Sequence, residues 1–386
     1  MQVRAAVICG MLLCSELEGQ ENVPRLALHL ERRVSRAADS ETLEVLSDAA
    51  IDSRGAVYVA QPRSGRILRY SKDGNVGLIG RRGRGPGEFE RPSKIGLKFD
   101  TLWVFEPSSR RLSWFDPGGR FVRATTFALA PTNEGWSRSP TAFLRDGSVV
   151  SFPAIEARRV QDEGIRRLPV EFFRSGQNGS DTLAWASPAG LAVVVEGVRQ
   201  SIAIVTPGLV QQPLIATPES GSFVAVVKAR PRNVGRSTVL DVTLVPSGTL
   251  QRLNVEVVLP QQDVTPAAIQ LFEERYLPRV ERALGASRDQ ALELLRTSTK
   301  WPSSFAPASE LLVSEDGALW LRTTPDWSTK HTWRVFRRDG TLRGVLTLDE
   351  GVRVVAAEGD TVIAEVTTDN EIAILKYRLT NRGAAR

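Results

Sequence analysis

One recurring pattern constrains this chain more than any single residue does. Residues 52–74, DSRGAVYVAQPRSGRILRYSKDG, give a turn, a short apolar strand with a central aromatic, a polar loop, a second strand ending in an aromatic, and a glycine turn. Residues 100–119, DTLWVFEPSSRRLSWFDPGG, repeat it. Tyr58 to Tyr70 spans twelve residues, as does Trp103 to Phe115, and Tyr70 and Phe115 precede Gly74 and Gly119 by four. The pattern returns as EDGALWLR (315–322) with TWRVFRRDG (332–340), and as EGDTVIAEV (358–366) with EIAILKYRL (371–379). Weaker copies are RDGSVVSF (145–152) with VEFFRSG (170–176), and SGSFVAVV (220–227) with TVLDVTLVPSG (238–248).

The strand centres Tyr58, Trp103, Val150, Val224, Trp320 and Ile363 mark six units, with spacings of 45, 47, 74, 96 and 43. Three of these fall in the ~40–50 range of propeller blades, and the two long ones hold insertions. Short strands with period-two alternation and Gly/Asp turns read as antiparallel meanders. A single meander cannot bury both faces, so radial stacking is the arrangement that gives a continuous core. The expectation is an all-β, six-bladed β-propeller over residues 47–380, its matched aromatics filling the seams between blades. Residues 186–215 hold an extra hairpin that leaves a seventh, short blade open, but the 32 residues from Ala192 to Val224 are tight for a full blade, so six is the better count. The final unit supplies three strands and lacks a fourth. Within 22–46, RLALHLERRVS (25–35) alternates Leu26, Leu28 and Leu30 and could pair there, closing the ring. Residues 381–386 form a short tail.

Between the first two units lies GLIGRRGRGPGEFERPSKIGL (77–97). Its pattern, Gly80-x-x-Gly83-x-Gly85-Pro86-Gly87-Glu88-Phe89 followed by Pro92 and Ile95, resembles the NHL-type propeller repeat. In that repeat a Gly-rich loop leads through Phe and Pro into the next inner strand. The chain from about 40 to 380 looks like bacterial six-bladed propellers that carry such a stretch, although the loop occurs here once. The resemblance implies a binding role only loosely, because one fold hosts many chemistries.

Residues 263–302 read as a helical insertion between the fourth and fifth blades. Thr265 is an N-cap followed by Pro266 at the first helical position. Ile269, Phe272, Tyr276, Val280 and Leu284 make one apolar face. Pro278 should kink or interrupt this helix, and Gly285 should stop it. Ser287 and Gln290 form a capping box for a second helix carrying Ala291, Leu292 and Leu295. The pair is expected on the side or rim of the propeller; the sharper alternative is a lid over one mouth of the channel.

Composition narrows the chemistry. The 386 residues include two His and two Cys, too few for zinc clusters, a disulfide scaffold or a zinc-dependent lyase site. Arg4 followed by an apolar run from Ala5 to Cys14 suits a signal segment over 1–19, and a lipid anchor on Cys14 is disfavoured because Leu13 precedes it. Nothing else approaches the ~20 apolar residues of a spanning helix. The net charge of +6 comes from 50 basic and 44 acidic residues with signs interspersed, so no nucleic-acid stripe is expected.

Candidate ligand-binding residues are Arg81, Arg82 and Arg84, set among glycines that could help hold an anion, and His331 with Trp327 in the insertion PDWSTKHTW (325–333). The histidine is expected to be exposed on its hairpin. No metal site or cofactor is expected. The sequence favours a non-enzymatic extracytoplasmic propeller binding a protein, peptide or carbohydrate. The alternative is a lactonase-like hydrolase or lyase with an oxygen-ligated ion, such as calcium, in the channel.

Overall fold

The computed structural model describes residues between Val23 and Asn381, apart from single positions and the segments 35–42, 44–45, 127–134, 155–162, 174–179, 187–191, 197–200, 206–213, 229–231 and 369–371. The signal-like segment, Cys14 and Asp326 lie outside the described residues.

Six antiparallel sheets follow one another along the chain. Blade one is Asp48–Ile51, Val57–Gln61, Arg66–Tyr70 and Val76–Ile79. Blade two is Lys94–Lys98, Thr101–Glu106, Arg111–Phe115 and Phe121–Thr126. Blade three is Ser137–Phe143, Val149–Ala154, Leu168–Phe173 and Asp181–Ala186. Blade four has Ile215–Ala216, Phe223–Val227, Ser237–Pro246 and Leu253–Pro260, with Arg232–Val234 pairing beside the long third strand. Blade five is Glu310–Val313, Leu319–Arg322, Lys330–Phe336 and Leu342–Asp349. Blade six joins Val352–Glu358, Thr361–Thr367 and Ile372–Asn381 to an outermost strand from the other end of the chain, Leu26–Arg33. That strand pairs antiparallel with the last, Leu26 opposite Asn381 and Leu28 opposite Leu379. It also ties in blade five, where Val345 N–H donates to the Pro24 carbonyl at 2.9 Å.

The first strands of neighbouring sheets touch around the axis, 48–51 against both 94–98 and 352–358, and 215–216 against both 137–143 and 310–313. All inner strands therefore run the same way. Their following turns share one end of the ring, the lower face. The loops between second and third strands, and the connections between blades, share the upper face.

Hydrophobic clusters alternate with the sheets and supply the cohesion. Tyr58, Phe89 and Phe115 fill the seam between blades one and two. Val150, Phe172 and Val224 fill that between three and four; Leu240, Leu319 and Phe336 that between four and five. Leu26, Trp320 and Trp333 close five against six, and Val57, Ile363 and Ile374 close six against one. Each such fully buried side chain contributes about 1.5–3 kcal/mol. The strand-centre residues are buried at 0–2% exposure in five blades. Trp103 departs from the expectation: it stays partly exposed.

Two helices, α1 (Pro266–Leu284) and α2 (Arg288–Ser298), follow the last strand of blade four and precede blade five. Thr265 caps α1 by accepting from Ala268 N–H, and Gly285 ends it in the left-handed conformation. The capping box of Ser287 and Gln290 is formed. Pro278 does not interrupt α1. It lies on the exposed face, where water can take the carbonyl that its missing N–H leaves free. Both helices pack against the hairpin Ala192–Glu196 and Ser201–Val205, so the insertions gather on the upper face.

Candidate functional site

The glycine-rich link is held from below by a buried ion pair. Glu106, 1% exposed, accepts from Glu90 N–H at 2.6 Å and Arg91 N–H at 3.0 Å. Arg111 binds Glu106 at 2.7 Å and donates to the carbonyls of Arg84, Gly85 and Glu88. Phe89 is inserted into the seam against Phe115, ring centroids 5.4 Å apart. Gly80 has φ +72° and faces this ring; a Cβ there would lie 2.3 Å from it. Glycine is required at that position by both backbone and space.

The three candidate arginines of this link are exposed. Arg81 meets Glu88 at 2.8 Å and Arg84 meets Glu90 at 2.7 Å. The Gly85 amide and the Arg81 guanidinium hold the Glu88 carboxyl below the usual range. Two of the three positive charges are thus met by carboxylates of their own loop, which weakens the case for a bound anion. Arg82 is not drawn into these pairs.

His331 and Trp327 also sit differently from the sequence expectation. Trp327 is 2% exposed and forms the centre of the helical cluster, with Phe272 at 5.1 Å and Phe305 at 6.1 Å. Its ring anchors the helices to blade five, because the eight carbons of the indole are better satisfied there than in water. His331, expected to be exposed, is 6% exposed. It pairs with Leu348 across the sheet and lies inside the blade, not on a free loop.

Around His331 the structure assembles a polar cavity of the upper face, 420 Å³ between blades five and six. Arg322 and Arg353 bring positive charge to it, and Glu310, Glu350 and Glu365 bring negative charge. Arg322 is 3.4 Å from Glu310 and donates to Ser309 Oγ at 3.0 Å. Arg353 donates to Glu365 at 2.8 Å and to the Leu46 carbonyl at 2.9 Å, while Leu46 N–H donates to Glu365 at 3.0 Å. Glu350 is exposed at the rim. These residues lie 55 positions apart in sequence, from Glu310 to Glu365. No local spacing marks them; their shared signal is charge at the upper ends of strands where seam residues are apolar.

The central channel is narrow, a 140 Å³ space lined by all six inner strands. Apolar Ile95, Ala142, Leu311 and Val355 share it with Asp48, Lys94 and Glu219. Asp48 accepts from Ile95 N–H at 3.1 Å and lies 3.9 Å from Lys94. Glu219 stands on the turn after the first strand of blade four, and this turn crosses the lower mouth. Its carboxylate accepts from Ile51 N–H of blade one at 2.5 Å, and its carbonyl from Leu97 N–H of blade two at 3.2 Å. Gly221 accepts from Arg145 N–H of blade three, and Ser220 donates to Glu315 of blade five. One turn thus stitches four other blades together and plugs the channel.

Burial pushes the Glu219 carboxyl well above its ordinary range, and the carboxylates Glu358, Asp48 and Asp52 add to the rise. Burial raises Asp48 and Glu358 as well. A carboxyl raised on folding favours the native state fully below the unfolded value, ~4.3, and that gain is lost as pH climbs through the folded value. Glu219→Gln keeps an oxygen for Ile51 N–H and removes the charge. It should raise the melting temperature by about 2–4 °C near pH 8, for roughly 1 kcal/mol, and leave it unchanged near pH 4. An equal melt at both pH values would show that the carboxylate is not strained.

Among the described residues no three His, Cys, Asp or Glu side chains come together as a metal-holding group. No described helix is long and apolar enough to cross a membrane.

The class of protein defined by this topology is a six-bladed β-propeller closed by its N-terminal strand, with a charged upper cavity. Comparison of the sequence with protein-family models finds no match. Comparison with curated proteins finds none either. Solved structures that resemble the chain do so at low identity. A protein of Bacteroides fragilis described as exported is 10% identical, with a TM-score of 0.48 over 92% of this chain and 95% of that one. A member of the DUF4221 family from Bacteroides vulgatus is also 10% identical, with a TM-score of 0.48 over 93% and 99%. A virginiamycin B lyase from Staphylococcus aureus is 9% identical, with a TM-score of 0.39 over 92% and 100%. Likeness this distant says nothing about what the chain binds.

Proposed function

We propose that this chain is a non-enzymatic, extracytoplasmic propeller of NHL-like type that binds a peptide segment of a protein partner in the cavity between blades five and six. The observation that carries the reading is the lining of that cavity: two guanidinium groups, a buried imidazole and three carboxylates around 420 Å³. Both signs of charge beside backbone groups suit the amides and mixed side chains of a peptide. A sugar ring would want an aromatic face to lie on, and the lining offers no Trp, Tyr or Phe. The long connections that could extend such a contact share this face. Export is supported by the apolar run after Arg4, and the reading requires no cofactor.

Panning a random heptapeptide library on the purified protein tests this. Enriched peptides should carry both charge signs, and Glu350→Lys, at the exposed rim, should weaken them about tenfold without altering the melt. Equal binding by parent and variant would sink the reading. So would a glycan array that yields ligands where the peptide library yields none, or stoichiometric calcium retained by the purified protein.

A further inference from the structure

Among the described residues, five of the six seams hold a large buried apolar cluster, and the sixth does not. Between blades two and three only Phe105, Leu112, Phe143 and Val149 are buried as a cluster, against nine or more residues in each of the others. What remains is a cleft of 490 Å³ at the lower face, within the ~300–1,000 Å³ range of small-molecule sites. It runs from the first turns of blades two and three to Ser220 of the channel plug.

The cleft has a definite construction. Gly96, Trp103, Trp114 and Arg123 stand opposite one another in a single row across all four strands of blade two. A row of opposed residues shares one face of the sheet, here the face toward blade three. The Trp103 ring packs against Gly96, where a Cβ would come within 2.3 Å of it. Gly96 thus lets the indole lean inward, and the seam stays open where the matched residues of other blades fill theirs. Trp103 and Phe143 meet at 5.1 Å and close the inner wall. Arg123 lies over the Trp114 ring at 4.0 Å.

Charge at the cleft is of one sign. Lys98, Arg123 and Arg145 line it, and among the described residues no Asp or Glu does. No ion pair joins these three to a carboxylate among the described residues. The remaining surface is mainly apolar.

We propose that this seam is a second ligand site, for a small aromatic anion: a planar ring carrying a carboxylate, sulfate or phosphate at its edge. The ring enters between Trp114, Trp103 and Phe143. Its anionic group meets Lys98, Arg123 and Arg145 at the rim, where charge-assisted hydrogen bonds are the strong ones. The site lies on the face opposite the peptide cavity, so either can fail without the other.

Calorimetric titration of the full chain with naphthoate, and with the neutral naphthalene methanol as its isostere, tests this. Naphthoate should bind one to one and about tenfold more tightly than the alcohol. The double substitution Lys98→Gln with Arg123→Gln should bring the two ligands within about twofold of each other. Trp114→Leu should weaken both alike. The residues at the rim are exposed or half-exposed, so the melt of each variant should match the parent and confirm an intact fold. No saturable binding of naphthoate, equal affinity for the two ligands, or a preference that survives the double substitution would each overturn the proposal.

Discussion

Removal of residues 22–40 is expected to lower the melting temperature by about 10 °C or more, or to abolish cooperative unfolding. The deleted stretch contains the outermost strand of blade six, Leu26–Arg33, and with it seven register pairs to the last strand of the chain. Leu26 is 5% exposed and packs with Trp320, Trp333 and Leu346 across the seam to blade five. Its loss opens that seam and bares an edge strand, Ile372–Asn381, of ten residues. Exposed edges of that length invite pairing with other chains, so the deleted protein should also self-associate. A synthetic peptide of residues 22–35, added to the deletion variant, should recover most of the lost melting temperature. An unchanged melt after deletion would mean that the ring is held by its seams alone.

The second large effect lies in blade three. Arg138, on the inner strand, reaches across the neighbouring strand to Glu171, with contacts of 2.5 and 2.7 Å. The two side chains are 13% and 8% exposed. Ser180 Oγ donates to the same carboxylate at 3.0 Å. Removing one partner leaves a buried charge behind, which costs about 3–5 kcal/mol. Replacing both with apolar residues of similar volume removes the charge along with its partner. Glu171→Leu should therefore cost about 3–5 kcal/mol in chemical denaturation, and the double variant with Arg138→Met should recover most of it. A double variant as unstable as the sum of the two singles would show that the groups act independently.

Much of the ring was legible because a blade is local. Each meander is a run of four short strands joined by tight turns, so alternation, glycine turns and a twelve-residue aromatic interval all fall within some 45 residues. The same holds for the helices: N-cap, proline, apolar face, capping box and glycine stop are signals of neighbouring residues. Pro278 shows the limit, because its effect depends on which way the helix faces. Solvent exposure, which the sequence does not carry, decided that the helix could run through it.

The candidate sites were legible only in part. The arginines at 81, 82 and 84 were conspicuous by spacing, yet the partners Glu88 and Glu90 sit in the same loop and take two of them. Trp327 and His331 were conspicuous by type, and both are buried. The residues that gather at the upper cavity, Glu310, Arg322, Arg353 and Glu365, come from two blades and carry no mutual pattern. Glu219 is similar: a turn residue in sequence, it becomes the plug of the channel because blades one and two lie opposite it.

By itself the sequence determined the kind of unit and where the insertions fall, and it favoured six units over seven, since those depend on periodicity along the chain. The tertiary structure decided which turn crosses the axis and which of the six seams lacks a large buried cluster. Those outcomes rest on contacts between residues tens to hundreds of positions apart. The open seam is the clearest case. Trp103 matches Tyr58 and Trp320 by position, but the glycine beneath it and the phenylalanine facing it leave its indole partly exposed.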